Sequence, residues 1–167
     1  MAKRAVKAKL LLSLALLREL LNKIRYYRGV IEKNIEKYRE YISKVSRIVP
    51  ERAKVVNREL EALEMFKLQL SRLEVFLEAI ILRIETLVSS ENLVVAVKVL
   101  QTVVEELKKS LPYSVPFMSV VVDKLDAIVR DIVAGSKLLA SPTKTSVVSD
   151  EVRKIIDEAK KVVGVEK

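Results

Sequence analysis

Thirteen of the first 49 residues are lysine or arginine and four are acidic, whereas the rest of the chain carries 18 of each sign. The whole formal charge of +9 therefore resides in the first segment. Within it, Lys3, Arg4, Lys7, Lys9, Arg18, Lys23, Arg25, Lys37, Arg39 and Lys44 are candidates for holding a polyanion. Such a stripe suits an anionic membrane, a nucleic acid or an acidic protein surface. The chemistry is attraction between fixed charges, not covalent transformation. The chain has no histidine and no cysteine, which removes Ser-His and Cys-His nucleophile pairs and His/Cys zinc sites. Its scattered glycines (Gly29, Gly135 and Gly164) build no phosphate-binding loop. Acidic and basic residues intersperse as on solvated helix faces, and no carboxylate pair stands out. No enzymatic activity, metal or cofactor is expected.

The elements that position this charge are helices. Three glycines and four prolines in 167 residues are too few for a protein of many short strands, and Leu, Val, Ile, Glu, Lys and Arg dominate. The same composition fits a thermophile. Leu10, Leu14, Leu17, Leu21, Ile24, Arg28, Ile31, Ile35, Tyr38, Ile42, Val45 and Val49 advance in alternating steps of four and three, broken only by Arg28. That is a coiled-coil-like seam. Arg18, Arg25 and Arg39 flank it on one side; Lys9, Lys23, Lys37 and Lys44 stand elsewhere. Gly29 is expected to mark a bend or a close contact. A turn is expected between Ser43 and Glu51, since Pro50 suits a first helical turn.

A second helix to about Val88 carries the stripe Val56, Leu60, Leu63, Phe66, Leu70, Leu73, Leu77, Ile80, Ile84 and Leu87. Two long helices with matching seams and a short connection should pack antiparallel. Met65, Leu68, Val75, Ala79 and Leu82 form a further partial stripe that one partner cannot bury. Ser89, Ser90, Glu91 and Asn92 interrupt the period without a strong breaker, so they are hinge candidates, with Ser90 near an N-cap. A third helix places Leu93, Val97, Leu100, Val104, Leu107 and Leu111 on one face and ends at Pro112–Pro116. A fourth runs from about Pro116 to Val133, with Gly135 as its stop. The organisation expected is an all-α core over 1–134, a linker over 135–149 and an amphipathic helix over 150–167. In that helix Val152, Ile155, Ile156, Ala159 and Val162 are candidates for docking a partner helix.

The apolar run Leu10–Leu17 follows basic residues as in a signal peptide. It is short, contains Ser13, lacks a small-residue cleavage site and leads into Arg18-Glu19. No stretch approaches the roughly 20 apolar residues of a spanning helix. A cytoplasmic protein, peripheral on the inner face of the membrane, is expected.

Arg72-Leu73-Glu74-Val75-Phe76-Leu77-Glu78-Ala79-Ile80-Ile81-Leu82-Arg83-Ile84-Glu85-Thr86-Leu87, then a polar break, then a helix ending Lys108-Lys109-Ser110-Leu111-Pro112, resembles the archaeal ESCRT-III (CdvB-type) family. The resemblance covers residues 10 to 134. It implies a subunit that polymerises with itself or related subunits into filaments on anionic membranes, in cell division or vesicle budding. It also implies that the Ser89–Asn92 break straightens in the polymer, joining the second and third helices. An MIT-domain AAA ATPase is an implied partner. No segment resembles the family's broken winged-helix tail, so a short paralogue is indicated. Residues 150 to 163 depart from the spacing of the family's ATPase-binding helix. Two other readings stand beside this one. Tyr26, Tyr27, Tyr38 and Tyr41 interleave with Arg25, Arg28 and Arg39 in a pattern that could stack on bases and contact phosphates of nucleic acid. A soluble coiled-coil scaffold is the other.

Overall fold

The computed structural model describes residues 2–110, 116–135 and 145–165. Among them the fold is all-α, with no strand: α1 (Ala2–Val45), α2 (Pro50–Ser89), α3 (Leu93–Ser110), α4 (Pro116–Gly135) and α5 (Thr145–Val165). Pro50 and Pro116 each open a helix, where the missing N–H costs nothing. Most of the expected linker lies outside the described residues. Its last described part is helical, because α5 begins at Thr145 and not near 150. Val148 stands four residues before Val152 and so extends the apolar period backwards.

Two compact units divide the chain: Met1–Leu21 with Phe76–Lys167, and Asn22–Val75. The first contains the start of α1, the end of α2, and α3, α4 and α5. Its buried residues include Leu10, Leu14, Leu17 and Leu20 of α1, Leu77, Ile80 and Ile84 of α2, and Met118, Leu125 and Ile132 of α4. In α3, Val95, Ala96, Val99 and Val103 are buried as well as the expected Leu93, Val97, Leu100, Val104 and Leu107. At about 100° per residue, that is more than half of its circumference. The backbones of α4 and α5 both approach α3 closely.

Ion pairs link the five segments of this unit in a closed circuit. Lys9 of α1 meets Asp131 of α4 at 2.7 Å, and Asp126 of α4 meets Lys108 of α3 at 2.8 Å. Glu106 of α3 meets Lys160 of α5 at 3.1 Å, and Glu158 of α5 approaches Arg83 of α2 at 3.9 Å. Glu85 of α2 pairs with Arg18 of α1. Each pair retains solvent exposure and contributes little stability; together the pairs discriminate register.

The second unit holds Asn22–Val45 of α1 and Pro50–Val75 of α2. Ile24, Ile31, Ile35, Leu60 and Leu70 are buried. Partner numbers fall along α2 as they rise along α1: Arg25 and Arg28 with Glu74, Glu32 with Lys67, Arg39 with Glu64. Arg28, the one charged seam position, meets an acid whose side chain is only 12% exposed. Arg25 Nε donates to Glu74 Oε1 at 3.1 Å. Arg28 Nε lies 3.1 Å from Glu74 Oε2, but off the axis of a hydrogen bond. A semi-buried polar cluster in an apolar seam fixes register at some cost in stability.

Gly29 corrects an expectation. α1 passes through it unbroken, and a Cβ built there meets nothing within 4 Å. No contact requires glycine, so Gly29→Ala should stabilise the fold by about 1 kcal/mol. A chemical-denaturation midpoint that stays level or falls would contradict this. Glu74→Ala leaves Arg25 and Arg28 without their shared carboxylate and should cost about 1–2 kcal/mol in the same assay, less than a fully buried pair because both arginine side chains are partly exposed.

Candidate functional site

The ten candidate cations separate into two groups. Lys9, Arg18, Arg25 and Arg39 are engaged with Asp131, Glu85, Glu74 and Glu64. Lys23 also has a partner. The flank formed by Arg18, Arg25 and Arg39 is thus committed to pairing α1 with α2. Lys3, Arg4, Lys7, Lys37 and Lys44 make no ion pair among the described residues; Lys7 is half-buried and the other four are exposed. Lys33, which the sequence did not single out, is also exposed and has no ion pair among them. A cation without a carboxylate keeps its full charge for an external anion.

In the first unit, α1 is apolar on its outer side too. Leu11 and Leu12 are 51% and 54% exposed, and Ala5, Ala8 and Ala15 are exposed beside them. They face away from Leu10, Leu14 and Leu17, which are buried. Lys3, Arg4 and Lys7 share this end of the helix. The sequence held the signal for the patch: at 100° per residue Leu11 and Leu12 fall off the 4-3 seam, so the run Leu10–Leu17 is apolar on two sides. In the second unit, Tyr26 is 74% exposed and Tyr41 is exposed, while Tyr27 and Tyr38 are half-buried. The arginines nearest Tyr26 in sequence, Arg25 and Arg28, are engaged with Glu74.

The C-terminal candidates lie against their own unit. Val152, Ile155, Ile156 and Ala159 are buried, whereas Val162 is half-exposed. Ile155, Ala159 and Val162 line a cleft with Ala79, Leu82 and Thr86 of α2; Val152 and Ile156 line another with Lys98, Gln101 and Thr102 of α3. α5 therefore touches helices on both sides of the α2–α3 turn.

That turn contains all four hinge candidates. Ser89 is the last residue of α2. The N–H of Glu91 donates to the Val88 carbonyl at 3.1 Å and that of Asn92 to the Leu87 carbonyl at 2.8 Å. These two bonds form a Schellman cap with Glu91 in the left-handed position, at φ 59°. Ser90 ends α2 instead of starting α3: its N–H and Oγ donate to the Thr86 carbonyl at 3.0 and 2.9 Å. Asn92 starts α3, its carbonyl accepting from the Ala96 N–H at 3.1 Å. Ser90 is thus not the N-cap its residue type suggests: serine and asparagine both flank helix ends, and only the hydrogen bonds distinguish the roles.

Among the described residues no group of three or more potential metal ligands occurs. None of the described helices is long and apolar enough to cross a membrane. Comparison with protein-family models, curated proteins and solved structures finds no match. The fold and surface together define an all-helical protein with a partly uncompensated basic helix and an apolar patch beside free cations.

Glutamate in a left-handed conformation carries roughly 1 kcal/mol of strain that glycine relieves. Glu91→Gly should therefore raise the thermal midpoint by about 2 °C, the gain being trimmed by the looser unfolded chain. Glu91→Ala should give no such rise. A lowered midpoint for the glycine variant would show that the side chain, not the backbone, governs this turn.

Proposed function

We propose that the chain is a polymer-forming, membrane-remodelling subunit of the archaeal ESCRT-III (CdvB) kind, acting in cell division or vesicle budding. The observation that carries this reading is the division of cations on α1: one set pairs internally, and Lys3, Arg4, Lys7, Lys33, Lys37 and Lys44 remain available to anionic lipid. Each such charge near a membrane surface contributes about 1 kcal/mol. Leu11 and Leu12, exposed near Lys7, suit shallow insertion between headgroups. The opposing order of ion pairs supports reading α1 and α2 as a basic helical hairpin, as in the family.

In this reading the protein is peripheral on the inner face of the membrane. The Ser89–Asn92 turn is a bent state that straightens when subunits join. An MIT-domain AAA ATPase would read Val152, Ile155, Ile156 and Ala159 only after α5 leaves α2 and α3, because those residues are buried in the docked helix. Binding to nucleic acid has less support. Tyr26 is exposed for stacking, but Arg25 and Arg28 are held by Glu74.

Electron microscopy and co-sedimentation with anionic vesicles, beside neutral vesicles and high salt, test the proposal. Filaments or coats are expected on the anionic vesicles alone, weakening with salt. Lys33→Gln with Lys37→Gln should lower vesicle affinity on the order of 30-fold. Smooth vesicles and dispersed protein at low salt would sink the membrane reading, and salt-sensitive binding to nucleic acid without vesicle binding would replace it.

A further inference from the structure

We propose that the α1–α2 connection is a second membrane contact, a basic turn whose apolar apex enters the headgroup layer of anionic lipid. This deepens the membrane reading above and rests on it. Residues 44–58 contain five cations (Lys44, Arg47, Arg52, Lys54 and Arg58) and one carboxylate, Glu51. All six side chains are exposed, and none makes an ion pair among the described residues. Elsewhere in this unit, the cations Arg25, Arg28, Arg39 and Lys67 each have a carboxylate within 4 Å. Lys33 and Lys37 also make no ion pair among the described residues, but the connection gathers five such cations within residues 44–58, the densest run in the unit.

Ile48 lies within this charge. It is 80% exposed, more than any other large apolar side chain described, and Val49 and Val55 nearby are exposed as well. The exposure does not come from a frayed end. Val49 N–H donates to the Val45 carbonyl at 2.8 Å and Ile48 N–H to the same carbonyl at 3.0 Å. On the far side, the Val49 carbonyl accepts from the N–H groups of Arg52 and Ala53 at 3.1 and 3.3 Å. Backbone hydrogen bonds thus hold the turn while leaving its most apolar side chain in water.

Cations surrounding an ordered, exposed isoleucine match a lipid surface on two counts. Arginine and lysine reach phosphates at headgroup depth, and the isoleucine gains only where there is an apolar layer just beyond them. A nucleic acid would take the charge but offers Ile48 no comparable layer, and the turn itself holds no aromatic residue for stacking. The same turn on a second copy would meet it with like charge.

The absence of native cysteine allows single-site labelling. Ile48→Cys, carrying an environment-sensitive fluorophore, is compared with Glu61→Cys, an exposed position on α2. Both are mixed with vesicles of phosphatidylcholine, with and without phosphatidylglycerol, and with bromine-labelled acyl chains as quencher. The label at 48 should shift to the blue and be quenched on phosphatidylglycerol vesicles only, and the label at 61 should not. Arg47→Gln with Arg52→Gln should weaken vesicle affinity on the order of 30-fold with helicity unchanged. If the full chain sediments with anionic vesicles while the label at 48 stays in water, the turn is not a contact and the membrane reading stands. Failure to sediment overturns both. A blue shift with nucleic acid, absent with lipid, overturns the lipid assignment.

Discussion

Burial of the wide apolar arc on α3 is the constraint around which the first unit is organised. Six of the 18 residues of α3 are valine, whose branched side chain loses rotamer freedom against the preceding turn. Those valines lower the intrinsic preference of the helix, and tertiary burial supplies much of its stability. The apolar arc of α3 spans more than half its circumference, which is wider than one neighbouring helix covers. α4 and α5 approach it closely, and the inward faces of α1 and α2 complete the buried core of the same unit. The ion-pair circuit then selects which charged edges adjoin, without being the source of cohesion.

Charge on α1 does two kinds of work because its helical phase gives it two kinds of surroundings. Arginines beside the seam lie within reach of carboxylates on α2, and there the planar guanidinium suits hydrogen-bonded pairing. Lys33, Lys37 and Lys44 are exposed and meet no carboxylate of the described chain. A net charge cannot reveal this division. The excess of +9 describes the whole protein, whereas the charge available to a partner depends on which acids the fold brings near.

Periodicity made the helices readable, and Pro50 and Pro116 placed two of their starts. The seam residues Leu10, Leu14, Leu17, Leu21 and Ile24 are buried as their spacing requires. Features that depend on a third helix were less readable. The spacing predicts one buried stripe on α3, but Val95 and Val99 are buried as well, because neighbours arrive from more than one side. Gly29 suggested a contact that does not exist, since propensity records the cost of a residue and not its surroundings. The start of α5 fell within a stretch that Pro142 and several hydroxyl residues made look like linker. Leu11 and Leu12 are legible as off-seam by helical phase, whereas Ile48 has no such signal and only its exposure distinguishes it as surface.

Magnitudes constrain how the proposed bent state would open. The left-handed Glu91 stores about 1 kcal/mol, and the Schellman bonds that straightening breaks are replaced by ordinary helical ones, so the turn itself is close to balanced. α5 is not. It buries Val152, Ile155, Ile156 and Ala159 while touching α2 on one side of the turn and α3 on the other. Even discounted for a partly collapsed reference state, those side chains represent on the order of 5 kcal/mol of apolar burial. Strain at Glu91 is too small to release the helix, so the resistance to straightening lies in α5 and not in the hinge. Lys33, Lys37 and Lys44 are already exposed in the bent state, so attraction of lipid to them favours neither state, and the proposed opening would need burial added by neighbouring subunits. In the proposed reading, opening would therefore be coupled to assembly, since an isolated subunit lacks the surface that would replace what α5 gives up.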